Sequence, residues 1–406
     1  MKFIVLVGDG MADEPRPELD GLTPLQYART PHMDLVAARG EIGRVRTVPA
    51  GFPPGSDVAN LSVMGYDPQK YYTGRAPLEA VSMGIALKEE DVAFRCNLVT
   101  LTDAQPYAER EMVDYSAGEI STAEARELIV FLDRELGSAT LRFHPGISYR
   151  HLLVWRGGAA ETVLTPPHDI PGMEVRPHLP AGIGDGVLKS LMAQSAELLA
   201  GHPVNRERRQ RNKRPANSIW FWGQGRRPAL PLFRDLFGLG GVVISAVDLI
   251  KGIGLCAGLE SIEVEGATGT IHTNFRGKAA AALQALGSGA DFALIHVEAP
   301  DEAAHQGDLE TKIRAIEEID RQVLGEVLRG VKDIGPFRIM VLPDHPTPVR
   351  TRTHSDDPVP FAVLREGDGG GPRSDCGFDE VSAAQSGLYF PAGYELMPYF
   401  VHGSRR

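Results

Sequence analysis

Three apolar runs, each ending on a carboxylate or an imidazole, constrain this chain more than anything else in it. KFIVLV, residues 2–7, is closed by Gly8-Asp9-Gly10; DFALIHVEAP spans 291–300; FRIMVLPDHP spans 337–346. A strand that is apolar along its whole length is buried on both faces, as happens when helices cover both sides of a parallel sheet. Between the second and third runs, Ile313, Ile316, Ile319, Val323 and Leu324 fall on one helical stripe. Strands alternating with helices predict an α/β fold with a parallel-sheet core.

The middle of the chain has a different texture. FRCNLVTL (94–101), LRFHPGI (141–147), YRHLLVW (149–155) and ETVLT (161–165) read as short strands. STAEARELIVFLDRELG (121–137) reads as a helix with Ser121 as cap and Glu124 at the capping-box position. The stretch 165–182 is rich in Pro and Gly and reads as loop. At 406 residues the chain has room for two domains. The expected organisation is a core domain from residues 1–88 and 191–406, interrupted by a smaller α+β domain at 89–190.

Composition narrows the function. A formal net charge of −11 argues against a general nucleic-acid binder and against an anionic membrane surface. The basic run RERRQRNKR, 206–214, then reads as a solvated helix end ahead of Pro215. The apolar run near the start is too short for a secretory signal, and no apolar run approaches the length of a membrane span. Cys96, Cys256 and Cys376 have no short spacing, so neither a zinc ribbon nor a disulfide framework is expected, and a cytoplasmic location is.

In open α/β sheets ligands gather beyond the carboxyl ends of the strands. Asp9 follows the first run, Asp301 and His305 the second, Asp344 and His345 the third, with His354 nine residues further on. Asp301 and His305 share a face if a helix begins near Pro300. Singly, each reads as a helix cap, a turn residue or a surface coincidence. Together they form an all-nitrogen-and-oxygen donor set suited to two divalent ions of the Mn, Zn, Co or Mg kind, a constellation that typically serves phosphoryl transfer. GFPPGSDVANLSVMGYDP, 51–68, sets Ser56 where a turn gives way to a helix. Ser56 or Asp57 could simply cap that helix. Alternatively, Ser56 is a nucleophile held at the positive helix end.

GDGMAD, LTPLQYARTPHMD, PPGSDVANLSVMGYDP, YYTGRAPLEA, FRCNLVTL, EGATGTIHTN, APDEAAHQGD, PDHPTP and HSDDPVPF together resemble the archaeal-type cofactor-independent phosphoglycerate mutases, over close to the full length. That family lies within the alkaline phosphatase superfamily, so the resemblance implies an alkaline-phosphatase-like core with an inserted domain that closes over a small phosphorylated carboxylate. It also implies a phosphoserine on Ser56, no need for 2,3-bisphosphoglycerate, and two metal ions, Mn2+ foremost with Co2+, Zn2+ or Mg2+ as alternatives. Asp9, Ser56, Asp344 and His345 would surround one ion, and Asp301, His305 and His354 the other. Substrate contacts would come from Arg95, Asn97, Arg150, His151, His168, Asp169 and Lys251. The chain departs from the glycolytic pattern in reading DHPTP rather than DHSTP at 344–348. That departure and ANSIWFWGQG (216–225) resemble a bacterial side branch proposed to act as homoserine kinases. The leading expectation is a mutase interconverting 3-phosphoglycerate and 2-phosphoglycerate. The alternatives are the kinase, for which the chain has no Gly-rich Walker pattern, and a phosphatase of the same superfamily.

Overall fold

The structure, a computed structural model, describes residues 1–365 and 376–403. Its contacts divide the chain into two compact units, one from Met1–Tyr72 with Ala229–Arg406, the other the continuous stretch Thr73–Pro228.

The discontinuous unit is built on an eight-stranded sheet. At its centre lies β1 (Lys2–Gly8), flanked in parallel by β2 (Phe292–Val297) and β3 (Phe337–Leu342). These are the three apolar runs. Val7 stands opposite His296 on one side and Leu342 on the other, so the three strands end level. Gly241–Ile244 and Glu260–Ser261 extend the sheet in parallel beyond β2. On the other side Val359–Arg365 and Glu41–Val45 are antiparallel to their inner neighbours, which the apolar runs alone did not reveal. Ile4 and Leu6 of β1 pack with Ile316, Ile319, Val323 and Leu324, all buried. Each such side chain contributes about 1.5–3 kcal/mol by leaving water. Their stripe runs through helix Leu309–Glu318 and a π-helical turn at Ile319–Leu324, with Ile313 only partly buried at its margin.

The continuous unit is centred on Asp91–Leu101, an eleven-residue strand buried throughout. Arg150–Arg156 pairs antiparallel on one edge and Ser218–Arg226 on the other. Helices Thr122–Leu136 and Asp185–Ala200 supply Leu128, Leu132, Leu188 and Met192 to its core. The expected capping box is present: the Glu124 amide donates to Ser121 Oγ at 3.4 Å and the Ser121 amide to Glu124 Oε2 at 3.3 Å.

This unit is wider at both ends than the expected 89–190. Ala76 and Ala80 of helix Ala76–Ser82 pack on Ala93 and Leu152, which draws the helix into it. At the far end, Trp220, Phe221 and Trp222 fill the same core as helix Asp185–Ala200. The segment 161–165 is not a strand; Val163 makes only an isolated bridge to Ala181 and stays exposed. The basic run also differs from expectation. Arg208 is buried, donating to Glu124 Oε2 at 2.9 Å and to the carbonyls of Ala117 and Arg214, while Arg206, Arg209 and Arg211 are exposed. Among the described residues no helix is long and apolar enough to cross a membrane.

Candidate functional site

Level strand ends put the loops that follow them side by side. The loop after β1 carries Asp9, the helix after β2 (Ala299–Gln306) carries Asp301 and His305, and the loop after β3 carries Asp344 and His345. Close approach of the first loop requires glycine at position 10. Its φ is +62°, and a Cβ there would lie 2.6 Å from Thr347 Oγ1 and 2.7 Å from Asp301 Oδ1. The Gly10 amide instead donates to Asp344 Oδ1 at 3.2 Å.

Ser56 opens helix Ser56–Val63, but it is not the cap; Gly55 holds that position with extended backbone. Asp57 accepts from the Tyr72 hydroxyl at 2.6 Å and from the Val58 amide. Freed from capping, Ser56 Oγ lies 3.1 Å from His345 Nε2. The same nitrogen is 3.6 Å from Asp9 Oδ1 and 3.5 Å from Asp344 Oδ2. Asn60, one helical turn from Ser56, donates to Asp344 Oδ2 at 2.8 Å and to the Ser56 carbonyl at 2.9 Å.

Hydrogen bonds fix which imidazole nitrogen faces the centre. Thr347 has one hydroxyl proton and gives it to Asp301 Oδ1 at 2.6 Å. It therefore accepts from His345 Nδ1 at 3.2 Å, leaving the His345 Nε2 lone pair toward Ser56 and the two aspartates. His305 Nδ1 donates to the Arg352 carbonyl at 2.9 Å, and His354 Nδ1 points to the Pro54 carbonyl at 3.4 Å. Their Nε2 atoms then face each other at 2.9 Å, and lie 3.2 and 3.4 Å from Asp301 oxygens.

This arrangement lacks positive charge. Asp9, Asp301 and Asp344 are all buried. Burial, then the neighbouring Asp344 and Asp301, raises the Asp9 carboxyl well above its ordinary range. His305 is raised to about 9: burial lowers it, but contact with Asp301 outweighs that. Two imidazole lone pairs cannot face each other at 2.9 Å without a cation, a proton or a metal ion, between them. Asp9 Oδ1 is buried and has no hydrogen-bond partner among the described residues. A divalent ion fits both places. Asp301, His305 and His354 offer donor atoms within 4.8 Å of one another, as do Asp9, Asp301 and His345. The structure thus brings all seven residues expected at the metals into one cluster.

Two supports were absent from the sequence reading. His296, the one polar residue in the apolar run of β2, reaches Asp9 Oδ2 from behind at 3.0 Å. Lys312, fully buried, donates to Asp13 Oδ2 and the Thr347 carbonyl, both at 2.8 Å, and to the Ala12 carbonyl at 3.3 Å. It clamps the loop after β1 to the loop after β3. Lys312→Met leaves Asp13 buried and unpaired, and is expected to cost about 3–5 kcal/mol. A thermal melt checks this; the double variant Lys312→Met/Asp13→Asn should lose less than Lys312→Met alone, because the stranded charge is gone.

The expected substrate contacts divide. Arg95 stacks 4.3 Å over the Trp222 ring and pairs with Glu79 at 3.0 Å; Asn97 accepts from Trp222 Nε1 at 3.0 Å; the His168 ring lies 5.0 Å from Trp222. Arg150 is exposed and stands opposite Asn97 on the neighbouring strand, and Asp169 is exposed beside His168. His151 does not join them. It pairs with Cys96 on the opposite face, buried, with Nδ1 accepting from the Gly146 amide, and burial lowers it to about 3. Lys251 lies in the other unit, in helix Asp248–Cys256, paired with Glu263 at 2.6 Å.

Comparison with known proteins bears on what this arrangement does. Residues 37–205 match the family model described as 2,3-bisphosphoglycerate-independent phosphoglycerate mutase. A relative in Geobacter sulfurreducens, a probable enzyme of that name, is 55% identical, with 98% of each chain covered. One in Methanothrix thermoacetophila is 51% identical over 99% of this chain and 100% of its own. Among solved structures, a protein from Pyrococcus horikoshii superposes with a TM-score of 0.82 at 29% identity, covering 100% of this chain and 98% of its own. A cofactor-independent phosphoglycerate mutase from Thermoplasma acidophilum gives 0.64 at 27% identity, with 99% of each covered.

Proposed function

We infer the chemistry of this chain from the premise that it belongs to the 2,3-bisphosphoglycerate-independent phosphoglycerate mutase family. It is an isomerase that interconverts 3-phosphoglycerate and 2-phosphoglycerate, and Ser56 carries the phosphoryl group between the two hydroxyls. The observation that supports this route most is Ser56 Oγ, relieved of capping and 3.1 Å from His345 Nε2 among buried carboxylates. Asp9, Ser56, Asp344 and His345 would hold one divalent ion and Asp301, His305 and His354 a second; Mn2+ suits this donor set. When bound, the ions supply positive charge that lowers the serine hydroxyl pKa and offsets charge on the phosphoryl oxygens.

Ser56 Oγ attacks phosphorus, its bond to phosphorus forming as the bond to the substrate's 3-oxygen breaks. The proton lost by the serine hydroxyl ends on the departing oxygen, giving free glycerate. After the glycerate turns, its 2-hydroxyl takes the group from Ser56 and returns a proton to the serine. Water must be kept out meanwhile, or phosphoserine is hydrolysed. Arg95, Asn97 and His168, grouped around Trp222, and Arg150, opposite Asn97 on the neighbouring strand, are the candidates to hold the substrate's anionic groups. Cys96, Cys256 and Cys376 form no disulfide among the described residues, which suits a reducing cytoplasm.

The experiment is an assay of purified protein with Mn2+ on 3-phosphoglycerate, with 2-phosphoglycerate followed through a coupled enolase. Homoserine is offered in parallel, with and without ATP. Formation of 2-phosphoglycerate without ATP is expected. Homoserine phosphorylation in the absence of any mutase activity would overturn the assignment.

A further inference from the structure

His296 is buried completely at the end of β2, and the chemistry above gives it no part. Its Nε2 lies 3.0 Å from Asp9 Oδ2 and its Nδ1 lies 3.2 Å from Ser245 Oγ. Ser245, buried at the end of the adjacent strand, accepts at Oγ from the Val247 amide at 3.0 Å. The other Asp9 oxygen, Oδ1, faces His345 Nε2 at 3.6 Å and has no hydrogen-bond partner among the described residues. One oxygen of the carboxylate is thus tied down from behind, and the other is left open on the side of Ser56.

We propose that His296 is a positioning residue that fixes the Asp9 carboxylate through an Nε2–H···Oδ2 hydrogen bond, so that Oδ1 is presented as a metal ligand. Asp9 acting as a metal ligand is ionised, and an ionised carboxylate only accepts, so in that state Nε2 carries the proton. Nδ1 then accepts, and the Ser245 hydroxyl proton is the donor that meets it. Ser245 selects the tautomer, His296 sets the carboxylate plane, and the Val247 amide sets the hydroxyl. The order serine, histidine, carboxylate, ion supports a metal from outside its own ligands, with the histidine behind the carboxylate. His296, Asp9 and Asp344 do offer donor atoms within 4.8 Å of one another, which makes His296 as a direct ligand the competing arrangement. Geometry favours the positioning role, since the Nε2 atom that would ligate is the one occupied by Asp9 Oδ2.

The inference rests on the metal centre proposed above, so its test reads metal binding rather than turnover. Calorimetric titration of the apoprotein with Mn2+ is run on wild type, His296→Ala, His296→Gln and Ser245→Ala. In His296→Ala one of two equivalents is expected to weaken about 10–100-fold. His296→Gln keeps an N–H donor toward Asp9 and should return to within about threefold of wild type, since the hydrogen bond to the carboxylate is retained. Ser245→Ala should weaken binding several-fold in the wild-type background and have no effect when combined with His296→Gln, which has no tautomer to select. If His296→Ala does not fold, the Gln and Ser245 variants carry the test. Unchanged affinity in Ser245→Ala, or a Gln variant that fails to retain binding, overturns the positioning role. With the Co2+-loaded protein, loss of an imidazole band shift in His296→Gln would show His296 to be a ligand and overturn it as well. A wild type that takes up no Mn2+ overturns the metal centre itself, a failure distinguishable from one in which only the variants behave like wild type.

Discussion

Ser56→Ala is expected to lose mutase turnover by about three orders of magnitude or more, because the covalent route disappears with the nucleophile. The same variant should remain folded. Among the described residues the Ser56 side chain bonds to His345 alone, and the helix start is set by the Gly55 carbonyl, which accepts from the Ala59 amide. Losing that bond costs on the order of 1 kcal/mol. Metal content should persist, since Asp344 is still held by Gly10 and Asn60, His345 by Thr347, and Asp9 by His296. A coupled assay, a melt and elemental analysis together separate loss of the nucleophile from loss of the site. An alanine variant keeping more than about a tenth of the wild-type rate is incompatible with a phosphoserine, because the direct route has no comparable nucleophile.

Removal of divalent ions is expected to have an effect of similar size. Chelation should abolish turnover, and Mn2+ or Co2+ should restore it. The chelated protein should also melt lower. Asp9, Asp301 and Asp344 are buried close together, and without cations their repulsion must be relieved by protonation, seen in the raised Asp9 carboxyl and the raised His305. An ion present at one hundred times its dissociation constant stabilises the folded chain by about 2.7 kcal/mol per site. Differential scanning calorimetry before and after chelation measures this, and an equal melting temperature in both states, with full activity, would rule out the metal centre. Asp301→Asn should reproduce the chelated phenotype, since Asp301 faces both His305 and His354.

Much of this was legible in the chain because the core strands are apolar on both faces. That pattern fixed β1, β2 and β3 as parallel and placed Asp9, Asp301 and Asp344 at one sheet edge, from which the cluster follows. The antiparallel strands Glu41–Val45 and Val359–Arg365 were not legible, because strand direction is set by partners remote in sequence. The extent of the continuous unit was missed for a similar reason. SIWFW in 218–222 has the apolar content of a core strand, but its partner, Asp91–Leu101, lies more than a hundred residues away. His151 was misplaced by the pleat. It neighbours Arg150 in sequence, and adjacent residues of a strand face opposite sides. Ser56 was left open between cap and nucleophile, since both occupy the start of a helix; the cap position of Gly55 removes the first reading, and nothing in the local sequence placed Ser56 Oγ 3.1 Å from His345. His296 left a trace that could have been followed, an imidazole inside an otherwise apolar buried strand, where a polar group needs a partner.

The central claim is that the phosphoryl group passes through Ser56. Rapid acid quench after mixing Mn2+-loaded protein with 3-phosphoglycerate labelled in its phosphoryl group tests it most directly. The account predicts label on the peptide containing Ser56 within the first turnover, declining as label appears in 2-phosphoglycerate. Label that reaches 2-phosphoglycerate without ever appearing on that peptide, or that leaves only as inorganic phosphate, would contradict it.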